Sequence, residues 1–588
     1  MKNSPFSTIK SLTAMAMIAL SIFASSCKED EVVVFPVPTV SPVGSLSGLP
    51  GTMVTLKASI NAPAGLKTVT VLKNGAAFDS KSYAGETAIE YSKEYTIENI
   101  GTPVNFTIIA IDKENQASEL VLLPVAITAI PPKTIVEVKG TLEGNISWTA
   151  DKIYKLVGFV RVGEDLTAAG APTKTGVLTI APGTVIIGDR ATKGTLIIQR
   201  GSKIIAEGTV DKPIIMTSER SIGEREPGDW GGLVICGNGV INVPAGVNEA
   251  EGKYGAFYGG KNDADDSGSL KYVRVEYAGI PINPNEEVNS FTFGAVGSTT
   301  KMEYLQASYG LDDSFEWFGG TANAKYLIAY RGLDDDFDTD FGFRGNVQYA
   351  IGMRSPTQAD QSGSNGFESD NAGASASATS VPKTAPIFAN VSLIGAKGSA
   401  ATSISTLFQN GIQIRRNSSL SLYNSLITGY PTGIYLDNQA PGTIANAEKG
   451  DLVLKNIVLA GVDGWGTNGY GLGAATLPRG AAVSDKEQNT AATEIKISDM
   501  TPTDWFKSIV GNKLIANTSK TGLNTNLWVA GRPTFVLAAG TEESLIGTAL
   551  PTTLPAFFDK TDFIGAFKST DWTLTWAEFS PQSVVYIK

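Results

Sequence analysis

Between Tyr309 and Gly342 the chain says nearly the same thing twice. Leu311-Asp312-Asp313-Ser314-Phe315-Glu316 returns 22 residues later as Leu333-Asp334-Asp335-Asp336-Phe337-Asp338. Tyr309-Gly310 returns as Arg331-Gly332, and Tyr304 as Tyr326. A unit this short cannot enclose a core of its own, so it must bury its apolar side chains against a neighbouring copy, as in a solenoid. If the units stack as parallel strands, equivalent residues lie about 4.8 Å apart. That places Asp312 over Asp334, Asp313 over Asp335 and Glu316 over Asp338. Carboxylates at this spacing repel unless something offsets them, which makes the ladder the first candidate for function.

The same grammar runs through most of the chain. Leu178-Thr179-Ile180-Ala181-Pro182-Gly183-Thr184-Val185-Ile186 is followed 18 residues later by Leu196-Ile197-Ile198-Gln199-Arg200-Gly201-Ser202-Lys203-Ile204. Leu270-Lys271-Tyr272-Val273, Met302-Glu303-Tyr304-Leu305, Ala324-Lys325-Tyr326-Leu327 and Val347-Gln348-Tyr349-Ala350 share a second phrase. Short apolar runs separated by Gly and polar turns suit a parallel β-helix, with three short strands per coil around an apolar interior. Residues 35–130 read differently. Val69-Thr70-Val71 and Val104-Asn105-Phe106-Thr107-Ile108 alternate with the period of half-buried strands, and Asn74-Gly75 is a hairpin signal. Pro131-Pro132 marks the junction.

Composition narrows the chemistry. The net charge is −11, which disfavours nucleic acid as a partner. The chain has no histidine, so Ser-His-Asp and Cys-His nucleophiles, His-ligated zinc and any His general base are excluded. Cys27 and Cys236 are the only cysteines, and a lone thiol at Cys236 is the simplest account of the second.

Residues 1–26 read as a secretion signal, with Lys2 and Lys10 ahead of an apolar run from Leu12 to Phe23. Ala24-Ser25-Ser26-Cys27 resembles a lipobox, with Ala24 where the usual leucine stands. This resemblance implies lipidation at Cys27 and a tether over residues 27–34. Lys28-Glu29-Asp30-Glu31 resembles the export signal that sends Bacteroidota lipoproteins to the outer face of the outer membrane. Phe106-Thr107-Ile108-Ile109-Ala110-Ile111-Asp112 resembles the last strands of bacterial immunoglobulin-like domains. From about Lys133 to Lys588 the chain resembles the right-handed parallel β-helix proteins of the pectin-lyase-like group, more narrowly the β-helix lipoproteins and secreted proteins of Bacteroidota. Gly228-Asp229-Trp230-Gly231-Gly232 and Asp562-Phe563-Ile564-Gly565-Ala566-Phe567…Asp571-Trp572-Thr573 carry that likeness. The expected fold is therefore all-β: a small immunoglobulin-like β-sandwich at 35–130, then a right-handed parallel β-helix at 134–588 with a C-terminal cap.

From Leu311 to Asp340 there are eight acids against two bases, Lys325 and Arg331. A solvated acidic face is the plainest reading. A hard cation such as Ca²⁺ held by Asp312, Asp313, Asp334, Asp335, Asp336 and Asp338 would relieve the repulsion better. Asp263, Asp265 and Asp266, or Glu368 and Asp370, are further acids within reach of such a site. A binding reading adds Glu316, Arg331, Arg344 and Trp317, the ring expected to point outward to a sugar or a partner in nutrient uptake. A polysaccharide lyase or glycosidase would fall back on Asp334 and Asp335 with Arg331, or with Arg344 or Arg354 as the arginine. An adhesive or structural surface protein needs none of these residues.

Overall fold

The computed structural model describes residues 35–98, 104–127, 132–167, 172–372, 379–398, 403–462, 480–483, 495–516, 518–523, 532–537 and 548–587, with Leu527 and Leu545 besides. The signal segment, Cys27 and the rest of the tether lie outside the described residues. The chain divides into two compact units, Met1–Pro131 and Pro132–Lys588. Among the described residues no helix is long and apolar enough to cross a membrane.

The first unit is a small β-sandwich. A three-stranded antiparallel sheet joins Thr39–Pro42, Met53–Asn61 and Ala88–Thr96. A five-stranded sheet joins Leu46–Gly48, Val121–Ile127, Val104–Asp112, Leu66–Lys73 and Ala76–Ser82. The alternation in Val104–Asp112 is realised: Val104, Phe106, Ile108 and Ala110 are fully buried and meet Leu56 and Tyr91 of the other sheet in one core. Asn74 and Gly75 both take positive φ, 49° and 85°, as a tight hairpin between right-twisted strands requires.

The second unit is a parallel β-helix. Two of its strand columns position everything that follows. The first column stacks Phe291–Gly294, Phe315–Phe318, Phe337–Asp340, Phe367–Ser369, Asn410–Ile414 and Thr432–Asp437, all parallel. Its inward positions carry phenylalanines, with ring centroids 5.0 Å apart from Phe291 to Phe315, 5.7 Å to Phe337 and 5.3 Å to Phe367. Here Glu316 pairs with Asp338, the register that the repeat implied.

Strands in the second column are longer and bent. They include Gly268–Glu276, Lys301–Ser308, Asn323–Tyr330, Asn346–Met353, Ile387–Ile394, Ser421–Thr428 and Leu454–Ala460. Each bend is one left-handed residue: Tyr272, Tyr304, Tyr326 and Tyr349, then Asn390, Asn424 and Asn456, with φ between 44° and 63°. Asparagine tolerates this region for local reasons. The tyrosines are held there by one another, with ring centroids 4.5, 4.3 and 4.9 Å apart along the stack.

A short helix, Pro502–Ser508, closes one end of the core. Thr501 accepts a hydrogen bond from the Asp504 backbone N–H, Pro502 pre-sets the first turn, and Trp505 and Phe506 plug into the main core. A further strand, Lys513–Ile515, follows this helix and pairs in parallel with Leu454–Ala460. Residues 548–587, which carry the tail phrase of the resemblance, instead run back along the outside of the bent column. Their side chains and backbone bond to Asn424, Asn390, Gln306 and Arg225 in turn.

The left-handed bend makes a specific expectation about residue type. Tyr326→Val and Tyr326→Asn both lose the ring stack, yet only valine must force a β-branched side chain into a left-handed backbone. Chemical denaturation should place the valine variant about 1–2 kcal/mol below the asparagine variant.

Candidate functional site

The acids of the repeat fall into three classes, set by which way each points at the corner ahead of its strand or on the strand itself. Asp313 and Asp335 lie in a column that continues as Asn365 and Asn410 and serves the backbone. Asp313 Oδ1 accepts the Asp335 N–H at 2.8 Å, Asp335 Oδ1 accepts the Asn365 N–H at 2.5 Å, and Asn365 Oδ1 accepts the Asn410 N–H at 3.0 Å. Each side chain thus satisfies a donor of the next coil that has no sheet partner at the corner.

Asp336 turns the other way, into the interior. It is fully buried, 3.4 Å from Arg354 Nε, and accepts a hydrogen bond from Tyr430 Oη at 3.3 Å. Arg354 also donates to the carbonyls of Gly332 and Asn365. Asp336 therefore leaves the expected cation ladder, and Arg354 leaves the candidate catalytic arginines. Both belong to a buried ion pair, whose desolvation cost is offset in part by the bonds that Arg354 donates to these two carbonyls.

Asp334 and Asp338 face a groove of ≈ 770 Å³. Its walls include Asp313, Asp334, Asp335, Asp338, Glu368 and Asp437, with Gln409, Gln413 and Tyr435 and two arginines, Arg415 and Arg416. Carboxylate oxygens come together in two sets, Asp312–Asp313–Asp334 and Asp313–Glu316–Asp338, each within 4.8 Å of one another. Asp338 Oδ1 and the Asn289 side-chain carbonyl are buried beside Glu316 and have no hydrogen-bond partner among the described residues. Asn289 donates its amide to Glu316.

Three expected ligand-binding side chains lie elsewhere. Trp317 is fully buried in the main core, stacked 5.4 Å from Phe343 and 5.6 Å from Phe293. Alternation decides this: Phe315 faces inward, so Trp317, two residues on, must as well, whatever turn follows. Arg331 lies over the ring of Tyr330, 5.1 Å from its centroid, and is not part of the groove wall. Arg344 pairs with Asp263 at 3.1 Å and donates to the Val240 carbonyl, pinning a loop. Asp265 and Asp266 are likewise engaged by Asn238 and Lys203, whereas Glu368 and Asp370 do join the acid ladder.

The basic residues of the groove were missed in the sequence. Arg415 forms a fork on Asp370, at 2.9 and 2.8 Å, and also meets Glu368, while Arg416 caps Asp370 from the other side. The signal was available. Phe367-Glu368-Ser369-Asp370 aligns with Ile412-Gln413-Ile414-Arg415 one coil on, so Arg415 must stand over Asp370.

Burial and mutual repulsion push the carboxyls of the ladder upward. Asp312 rises to about 8, chiefly from burial and then from Glu251 and Glu287. Asp340 rises to about 7 from burial, although it accepts the Phe341 N–H and faces Arg416 and Arg415. Asp313, Glu316, Asp334 and Asp338 are raised as well, burial first and neighbouring carboxylates second. Asp312, Asp334 and Asp338 keep part of their surface in water, which moderates the effect. These groups hold protons more tightly folded than unfolded. Their contribution to stability is therefore full below the unfolded range near about 4 and is lost as pH rises through the folded values. In chelator, the melting temperature should fall as pH rises through about 7 and about 8, and Asp312→Asn should flatten the upper part of that fall. A profile flat across this window would mean that the acids are charged and solvated.

Comparison with known proteins bears on the fold. The family described as "Pectate-lyase like beta helix domain" matches residues 140–509, more than half of the chain. No curated protein matches. Among solved structures, a family 28 exopolygalacturonase of Yersinia enterocolitica is 12% identical, with a TM-score of 0.18, covering 72% of this chain and 93% of its own. The pectate lyase Pel3 of Pectobacterium carotovorum is 10% identical, with a TM-score of 0.17, covering 57% of this chain and 91% of its own. With the parallel coils in view, the chain belongs to the pectate-lyase-like β-helix family.

Proposed function

We propose that this protein is a lipid-anchored surface protein of the outer membrane whose acidic groove binds a carbohydrate, with a hard divalent cation of the Ca²⁺ kind seated in the acid ladder. The observation that carries the reading is the groove itself: a ≈ 770 Å³ trough in which carboxylates, amides, a tyrosine and two arginines converge. Polar groups of this variety bond to hydroxyl-rich ligands, and a cleft of this size accommodates several sugar units. Membership in the pectate-lyase-like family fits a carbohydrate-related function.

The cation reading rests on donor chemistry. Two sets of three carboxylates within 4.8 Å, one of them beside the unpartnered oxygens of Asp338 and Asn289, suit an ion that takes about 6 to 8 oxygen ligands. Such an ion replaces repulsion by shared coordination and offers a positive centre to an anionic or hydroxyl-bearing ligand. Asp334 in one set and Asp338 in the other are the side chains freest to hold such an ion, since Asp313 and Asp335 already serve the backbone.

A glycosidase is the second reading. The Asp313–Glu316–Asp338 oxygens lie within 4.8 Å, close to the carboxyl separation of about 5–5.5 Å in retaining enzymes. With histidine absent, the acid and the nucleophile would come from carboxyls of the ladder, Asp313, Glu316 or Asp338 in this set or Asp334 and Asp335 beside it. The lipid anchor, the export signal and a role for residues 35–130 as an immunoglobulin-like spacer complete the proposal; they rest on the N-terminal motifs and the small sandwich.

Three outcomes test it. Calorimetry should show Ca²⁺ binding, and the melting temperature should rise with Ca²⁺ by the equivalent of about 2.7 kcal/mol at a hundredfold excess over Kd. Asp334→Asn with Asp338→Asn should erase that rise, and absence of binding at millimolar Ca²⁺ would remove the cation. Binding to polygalacturonate, alginate or neutral glycans should weaken at least tenfold in Arg415→Ala, while steady turnover of any of them that Asp334→Asn abolishes would put the enzyme first. Cys27→Ser should move the protein from the membrane fraction to the aqueous phase of a detergent extraction; unchanged partition would overturn the anchor.

A further inference from the structure

Residues 548–587 have almost no regular structure, only the short 3-10 turn Pro581–Ser583, yet they are fastened along the whole bent column. The fastening changes chemistry where the column does. Over the tyrosine part lie rings: Trp572 meets Tyr326 edge-on at 5.4 Å, and Trp576 meets Tyr304 at 5.9 Å and Tyr272 at 5.8 Å. Over the asparagine part lie backbone carbonyls. Asn390 donates to Phe563 O and Gly565 O, and Asn424 donates to Thr548 O and Phe563 O.

Between these contacts, two glutamines treat the tail as an added strand. Gln306 donates to Glu578 O at 2.6 Å and accepts the Glu578 N–H at 2.9 Å. Gln348 does the same with Asp559, at 3.0 and 2.8 Å. The middle and the far end of the segment are anchored in apolar clusters. Ile564 packs with Leu426 and Val458, while Val584 and Tyr586 pack with Ile153, Val185 and Ile187. Near the far end Arg274, 6% exposed, donates to Trp576 O and Tyr586 Oη, and Tyr586 donates to Glu276, 1% exposed. Lifting the tail would strand that buried charge network without its partners.

We propose that residues 548–587 are a built-in strap that locks the coils from Ile153 to Val458 into one cooperative body. An ordinary solenoid holds each coil only through its neighbours, so its ends open first and independently. Here the last residues of the chain bind the first coils directly, and a coil in the middle cannot separate without breaking strap contacts on both sides. The strap grips Gln306, Lys325, Tyr330 and Gln348, which flank the coils carrying Glu316 and Asp338. It therefore opposes the repulsion that would drive those coils apart. This inference does not depend on what the groove binds.

Hydrogen exchange on the full chain decides it. In Trp576→Ala, exchange should accelerate at least tenfold in Gly268–Glu276 and Lys301–Ser308, and also in the remote strands Lys152–Val162 and Leu454–Ala460. Val104–Asp112 of the separate sandwich should not change. Acceleration confined to 548–587 and the strands beneath Trp576, with both remote strands unaltered, would overturn the proposal. Should Trp576→Ala fail to fold, Gln306→Ala with Gln348→Ala removes the strand-like bonds while leaving the rings. The same remote strands should then accelerate, and unaltered exchange in them would sink the strap.

Discussion

Register at one strand spacing governs this molecule. Once coils stack in parallel, every side chain lies on its own equivalent, and the chain must make each such pairing favourable. Phenylalanine on phenylalanine and tyrosine on tyrosine do so directly, by stacking at 4.3 to 5.7 Å. Asparagine on asparagine does so through amide bonds, as between Asn456 and Asn424 at 2.7 Å. Acid on acid does not. Glu316 over Asp338 over Glu368 is a repeating liability that the fold imposes and a partner must offset. Among the described residues that partner is Arg415 with Arg416, paired directly with Glu368 and Asp370 and acting on Asp338 and Asp340 through space.

The acids also show that one repeated letter can serve several purposes. Within three consecutive positions, Asp334 looks into the groove, Asp335 holds the next coil's N–H and Asp336 is paired in the core with Arg354. Asp335 could be asparagine without loss of its bond, as Asn365 demonstrates in the same column. Its charge is thus not required for structure, and its presence deepens the negative potential of the groove.

The coil architecture was legible because stacking forces repetition into the sequence: the 22-residue echo carried the register that pairs Glu316 with Asp338. The acidic ladder was legible for the same reason. Trp317 was misplaced because its neighbours suggested a turn, when the two-residue alternation from Phe315 already sent it inward. Arg415 was missed because it stands 45 residues from Asp370, beyond any short repeat, with loop residues inserted between coils. Arg331 and Arg344 fell away because an arginine near acids in sequence had another partner nearer in space, a ring in one case and Asp263 in the other. The tail was the least legible element, since its hydrogen-bond partners lie up to 357 residues upstream, its apolar partner Ile153 farther still, and no periodicity links them.

The path of that tail sets an order of events for biosynthesis. The first coils, with Ile153, are made long before Tyr586, the residue that packs against them. At about 5 to 20 residues per second the interval is about 20 to 90 s. Through that time the early coils have neighbours but no fastening, and the tyrosine column stands uncovered. A chain without residues 548–587 stays in that state permanently. A protease that attacks open coil stacks would therefore distinguish molecules in which this segment is docked from molecules in which it is not.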